Sequence, residues 1–207
     1  MKFLLPLFFI FFSSYSYSQE NIDLPDASNH IDDIIHQKLT LIKPTIFLSD
    51  IETIDTIIKS TKKKYKIVYL FSAKCHSSAE LFPQITKFVN DHSLEFVLFP
   101  IIGHKYKEIP VFKDYLNRNH YYKPVYILNM GKYGKKRNPF KRLDQLTKTL
   151  CKECDYEKMG FSSFFVIDEN NKVIVHNNWN FSGKDKLNQL QELVKKHKVK
   201  NAKNIFN

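Results

Sequence analysis

Cys75 is the residue with the most chemistry open to it in this sequence. It follows a continuous apolar run, Lys66 to Ser72 (KIVYLFS), and precedes a helical pattern that begins near Ser77. A cysteine at a strand-to-helix junction meets free backbone N–H groups and the positive end of the helix dipole, and both stabilise a thiolate. Lys74 beside it acts in the same direction. The thiolate is the attacking species in disulfide exchange, so these residues point to thiol chemistry. The other two cysteines stand together in Cys151-Lys-Glu-Cys154. At the end of a predicted helix, i, i+3 spacing puts both sulfurs on one face, where a small disulfide can close if the helical geometry relaxes. Zinc is the weaker alternative, since one CxxC provides two of the usual four ligands and no His-x-His or second CxxC supplies the rest. No metal and no other cofactor is expected.

The elements that must position these residues follow from hydrophobic period. Thr45 to Leu48 is a short β-like run, and Asp50 stands where it can cap a helix from Ile51 to Lys62. Lys66 to Ser72 has no alternation, which marks a strand buried on both faces. A helix is predicted from Ser77 to Asp91, a strand over Leu94 to Ile102, a helix over 108–119, and a strand over Pro124 to Met130. A basic loop, Gly131 to Pro139, leads into a helix that starts at Asn138-Pro139 and runs to about Cys154. Ser163 to Asp168 and Val173 to Asn177 flank an Asn-rich turn and read as a hairpin. Lys184 to Lys198 closes the chain as a helix, with Leu187, Leu190, Leu193 and Val194 facing inward. Alternation of strand and helix at the front predicts parallel strands with helices on both faces, and the hairpin adds an antiparallel pair.

The 207 residues suit one domain, and 43% hydrophobic residues exclude a disordered tail. The formal charge of +11 comes from 32 basic residues of which Arg118, Arg137 and Arg142 are the only arginines. Arginine is the usual residue for bidentate reading of bases and phosphates, so no nucleic-acid partner is expected. The first 18 residues have the layout of a cleavable secretory signal: Lys2, the apolar Phe3 to Phe12, and small residues at Ser16 and Ser18. Ten apolar residues are too few to span a bilayer. Cleavage after Ser18 makes the protein periplasmic or extracellular, with no stable membrane insertion afterwards. Export means an oxidising compartment, where an odd count of three cysteines leaves one thiol free unless the protein dimerises through it.

The segment KIVYLFSAKCHSSAELFP resembles the active-site segment of thioredoxin-fold proteins, especially the exported TlpA/ResA-type thiol–disulfide oxidoreductases. The likeness includes the apolar strand, the cysteine at the helix start and Pro83 eight residues later. Downstream, Tyr156 to Asp168 resembles the family segment that ends in a cis-proline, a strand and an acid, and the closing hairpin and helix follow in order. The resemblance covers about residues 45–196. It implies an α/β thioredoxin fold: a central mixed sheet flanked by helices, with an N-terminal β-α extension and an inserted helical segment. The domains are then a signal peptide (1–18), an extension (19–43), a thioredoxin-like domain (44–200) and a tail (201–207).

The same resemblance implies a site of Cys75, His76, Ser78 and Ser162. His76 fills the first variable position after the nucleophile, where a protonated imidazole would stabilise the thiolate. Three positions depart from the pattern. Lys74 stands where the family has a Trp before the nucleophile. Ser78 stands where the second cysteine is expected, and a dithiol cycle needs that resolving thiol to release a mixed disulfide. Ser162 stands at the cis-proline, and a cis bond before a non-proline residue costs about 3–4 kcal/mol, so the Phe161–Ser162 bond is expected to be trans in a reshaped loop. Three readings of Cys75 stay open: a single-cysteine nucleophile toward protein thiols or disulfides of exported proteins, a nucleophile resolved by Cys151 or Cys154, or a relic in a non-enzymatic binding module; Cys151 and Cys154 stay open as a displaced second redox pair or a stapling disulfide. Neither the oligomeric state nor a substrate is indicated.

Overall fold

A computed structural model describes residues 43–134 and 138–205. The expected signal sequence and a possible helix over 29–39 lie outside the described residues. The elements run β1 (Ile46–Ser49), α1 (Ile51–Ser60), β2 (Tyr65–Phe71), α2 (His76–Asp91), β3 (Phe96–Ile102), α3 (Ile109–Arg118), β4 (Val125–Leu128), a single turn α4 (Met130–Tyr133), α5 (Phe140–Leu150), β5 (Phe164–Ile167), β6 (Val173–His176) and α6 (Gly183–Ile205). The six strands form one sheet in the order β1-β4-β3-β2-β5-β6. β1, β4, β3 and β2 are parallel, β5 runs antiparallel to β2, and β6 antiparallel to β5. No helix among the described residues is long and apolar enough to cross a membrane.

β2 is central, and all seven of its residues are buried. Its side chains alternate between two cores, as the two-residue period of a strand requires. Ile67, Tyr69 and Phe71 pack with Leu81, Phe82 and Ile85 of α2, Phe112 of α3 and Leu190 of α6. Val68 and Leu70 pack on the opposite face with Ile51, Ile54 and Ile58 of α1 and Leu143 and Leu146 of α5. This explains the unbroken apolar run: both faces of the strand are covered.

Pro83 lies inside α2 and cannot donate to the carbonyl of Ala79, four residues back. Tyr115 Oη donates to that carbonyl at 2.6 Å, so the lost backbone bond is replaced by a side chain from α3. The bond also pins α3 against the first half of α2.

Several boundaries differ from the sequence expectation. The strand expected from Leu94 starts at Phe96, because 92–95 close a turn and leave Leu94 86% exposed. Met130 belongs to α4 rather than to β4, since the Asn129 side chain accepts from Gly131 N and starts a turn. The helix expected to reach Cys154 stops at Leu150, with Cys151 outside helical geometry at its end. Asp50 stands at the N-cap of α1 but makes no side-chain cap; Tyr133 Oη accepts from Ile51 N at 2.8 Å instead. After β6, Trp179 and Phe181 are part-exposed, and the Trp179 ring lies against Gly160.

Phe82 is fully buried and contacts Tyr69, Phe71, Tyr115 and Tyr121. Phe82→Ala is expected to cost about 3–5 kcal/mol in urea unfolding. Leu94→Ala, on the surface, is expected to stay within about 0.5 kcal/mol of the parent.

Candidate functional site

Three loops meet at the carboxyl ends of β2 and β3. One joins β2 to α2, one follows β3 and leads to α3, and one enters β5. In the first, Cys75 is a free, half-buried thiol at the N-cap of α2. Its carbonyl accepts from Ala79 N at 2.8 Å and opens the helix ladder. The junction predicted for the thiol is therefore the junction found, at the positive end of a helix of 16 residues.

Ser78 is sealed into the fold. Its Oγ accepts from Ser72 N at 3.0 Å and lies 3.1 Å from Tyr69 Oη, which itself donates to the Ser78 carbonyl at 2.9 Å. The hydroxyl thus satisfies the backbone N–H left over where β2 ends. Burial holds Tyr69 far above the usual phenol range, so it stays a neutral donor.

Ser162 sits in the left-handed region at φ 72°, and no peptide bond among the described residues is cis. A non-glycine residue there is held at a cost of about 1–2 kcal/mol. Two bonds along the end of β2 hold it: Ser162 N donates to Leu70 O at 3.0 Å, and Leu70 N to Ser163 O at 2.9 Å. The reshaped loop keeps Ser162 beside the site, with its Oγ accepting from Lys186 Nζ at 2.9 Å. Burial pushes Lys186 down to about 8, while the negative charge of a Cys75 thiolate pulls it back up.

The two neighbours expected to act on the thiol are engaged elsewhere. Lys74 Nζ pairs with Glu108 Oε1 at 2.8 Å. His76 points to solvent, 85% exposed, with Nε2 3.0 Å from Glu80 Oε1. Cys151 and Cys154 form a disulfide with a Cα–Cα separation of 5.4 Å. It lies in the core under α1 and α5, across the sheet from the face that α2 covers. A loop with a sequence separation of three restrains the unfolded chain little, so the bond contributes about 2 kcal/mol on a chain-entropy view.

Lys186, His104 and Glu108 belong to the site and were not singled out from sequence. His104 Nε2 lies 2.8 Å from Ser72 Oγ, and its Nδ1 lies 3.0 Å from Glu108 Oε2. Burial lowers His104 below its usual value, leaving the ring neutral at pH 7. A carboxylate only accepts, so Nδ1 carries the proton and Nε2 accepts from the Ser72 hydroxyl. Ser72 Oγ in turn accepts from Lys74 N at 3.2 Å. The order serine, histidine, carboxylate is that of a hydrolase triad, but Ser72 is completely buried and offers no approach to a substrate. Its role is to fasten the loop after β3 to the loop that carries Cys75. The one signal in sequence was the i, i+4 spacing of His104 and Glu108.

Burial would raise the Glu108 carboxyl, but bonds from Lys74, Lys105 N and His104 outweigh it and hold it at about 2. A carboxyl depressed from 4.5 contributes stability that is present above about pH 4.5 and is lost as pH falls through about 2. Glu108→Gln is expected to lower the urea midpoint at pH 7 and to flatten the wild-type decline between those pH values.

No family model matches this sequence, and no curated protein matches it. Among solved structures, the chain is similar to a thioredoxin-like protein in its oxidised form (14% identity, TM-score 0.46, covering 64% of this chain and 78% of that one). It is similar to the exposed lipoprotein thioredoxin of Streptococcus pneumoniae (14%, TM-score 0.45, 65% and 89%). It is also similar to yeast Sco1 (15%, TM-score 0.40, 69% and 84%). The fold itself is read from the chain's own topology. Parallel β3 and antiparallel β5 flank a central β2, a cysteine opens the helix after β2, and a hairpin and helix close the chain, which makes this a thioredoxin-like α/β fold.

Proposed function

We propose that this protein is an exported single-cysteine thiol–disulfide exchange protein, with Cys75 as nucleophile and protein disulfides as its substrate class. The observation that carries the reading is the pairing of a free, half-buried Cys75 at the helix start with a Ser78 whose hydroxyl is locked to Ser72 and Tyr69. In the step this implies, the Cys75 thiolate attacks one sulfur of a substrate disulfide. The substrate S–S bond breaks, a Cys75–substrate disulfide forms, and the second substrate sulfur leaves as a thiolate. Ser78 cannot attack the new disulfide, so release falls to a thiol from solution, a small thiol or a partner cysteine. The Cys151–Cys154 disulfide lies on the other face of the sheet, which favours an external resolver. Ser162 and Ser78 then shape the surroundings of the thiol rather than complete a dithiol pair. Export rests on the pattern of residues 1–18 and predicts a mature chain that begins at Gln19.

The second reading is a thioredoxin-like accessory module without turnover. It is favoured by the bonding of Ser78 into the backbone, which makes the missing second thiol part of the packing.

Alkylation and mass mapping of protein taken from its native compartment separates the two. Exchange predicts Cys75 in mixed disulfides that a reductant releases and that Cys75→Ser abolishes, with Cys151 and Cys154 protected from alkylation until reduced. Ser78→Cys restores a resolving thiol and should drain the trapped population. Cys75 found only as an unmodified thiol, with no exchange with oxidised glutathione, leaves the accessory module as the function.

A further inference from the structure

Exposed aromatic rings gather beside the loop that carries Ser162. Phe140 opens α5 and is 40% exposed, and Trp179 (52%) and Phe181 (40%) stand on the turn between β6 and α6. That turn is fixed by its own bonds: Asn178 Oδ1 accepts from Asn180 N at 2.9 Å, and Trp179 N donates to Lys158 O at 3.4 Å. Phe140 and Trp179 arrive from different elements and meet over the backbone of Gly160. A Cβ on Gly160 would stand 3.1 Å from Trp179 Cε3 and 3.4 Å from Phe140 Cε1, so the missing side chain is what lets the two rings share one surface. An apolar side chain exposed alone is ordinary, whereas several held together mark a contact surface.

This surface is continuous with the thiol site. The Phe161 ring lies 5.0 Å from that of Phe140 and stacks on His104 at 4.7 Å, with 16° between the planes. His104 Nε2 is bonded to Ser72 Oγ, and Ser72 O accepts from Cys75 N at 3.3 Å. On the other side, the turn with Trp179 and Phe181 runs into Gly183, where a Cβ would stand 3.8 Å from Leu81 Cδ1 of α2, the helix that Cys75 opens. Cations border the rings: Lys141 follows Phe140, Lys184 follows Gly183, and both are exposed.

We propose that Phe140 and Trp179 form a docking surface for an apolar segment of the substrate polypeptide, with carboxylates at the ends of that segment drawn to Lys141 and Lys184. Resting on the exchange reading, this gives the substrate a recognition element besides its disulfide. Continuity with the Cys75 loop makes the substrate the occupant: a segment lying on the rings holds its own disulfide near the thiol, and the bordering charge selects against basic segments. Rigid aromatic rings offer large apolar area at little cost in side-chain entropy, and such anchors carry most of the binding energy of an interface.

Trp179 is the one tryptophan in the sequence, so its fluorescence reads this surface directly in the unmutated chain. The probe is a cysteine-free peptide with Leu, Val and Phe at its centre and Glu at its ends. It should move the emission to shorter wavelength and shield Trp179 from acrylamide, and a peptide with Ser and Gly at its centre should do neither. Lys in place of Glu at the ends should weaken binding several-fold. For exchange, two disulfide-containing peptides with these same centres are compared. The parent should react with the apolar one about tenfold faster, and Phe140→Ser and Trp179→Ser should each bring the ratio of the two rates toward one. An emission that ignores the apolar peptide, binding indifferent to the charge of the ends, or a rate ratio kept in the folded variants overturns the proposal. Emission already shifted and shielded in the peptide-free chain also overturns it, since the surface then has an occupant within the protein itself. Binding of the cysteine-free peptide without exchange with either disulfide peptide overturns the exchange reading and leaves the docking surface to the accessory module.

Discussion

The end of β2 is a buried strand end, and its polar backbone must be satisfied without water. The strand sits between β3 and β5 with a core on each face, so the N–H of Ser72 and the carbonyl of Leu70 emerge in a dry region. An unpaired group there costs about 1–3 kcal/mol. Ser78 Oγ takes the first and Ser162 N takes the second. Ser78 and Ser162, two of the three positions that depart from the thioredoxin active-site pattern, are therefore the two that close the strand. A serine at position 78 does what a thiol does poorly, since sulfur is a weak acceptor.

From this closure the arrangement of the site follows. Leu70 holds the Ser162 loop against the strand, and Ser162 holds the buried amine of Lys186. Ser72, through its hydroxyl, holds His104 and then Glu108, and Glu108 draws Lys74 away from the thiol. Cys75 is left as a free thiol at the helix start. A positive charge in sequence next to a cysteine was thus a poor guide to its surroundings in space, since Lys74 pairs with Glu108. The surface offers Lys74 and His76 carboxylate partners, whereas the buried Lys186 bonds the Ser162 hydroxyl.

The disulfide shows the same separation of chain distance from space. Cys154 precedes Ser162 by eight residues, and Ser162 lies beside the end of β2. Yet Cys151 and Cys154 follow α5 into the opposite core, next to Met159 and Ile167. Ending α5 at Leu150 frees Cys151 from helical geometry and lets its sulfur meet that of Cys154.

The fold was largely legible because its signals are local or periodic. The unbroken run at Lys66–Ser72, the helical stripes of Leu81 and Ile85 and of Leu187 and Leu190, and the Asn-rich turn between β5 and β6 each depend on neighbours a few residues away. The position of Cys75 belongs with them, since a strand and a helix in sequence already define the junction between them. What only the tertiary structure decided was the partner of each polar group. Lys186 reads in sequence as one more lysine among 32 basic residues, on a helix with many. Its burial comes from α6 packing on α2, and its bond comes from a loop 24 residues earlier. Burial and desolvation are properties of the assembled core, so the surroundings of that amine are set only once the chain has closed over it.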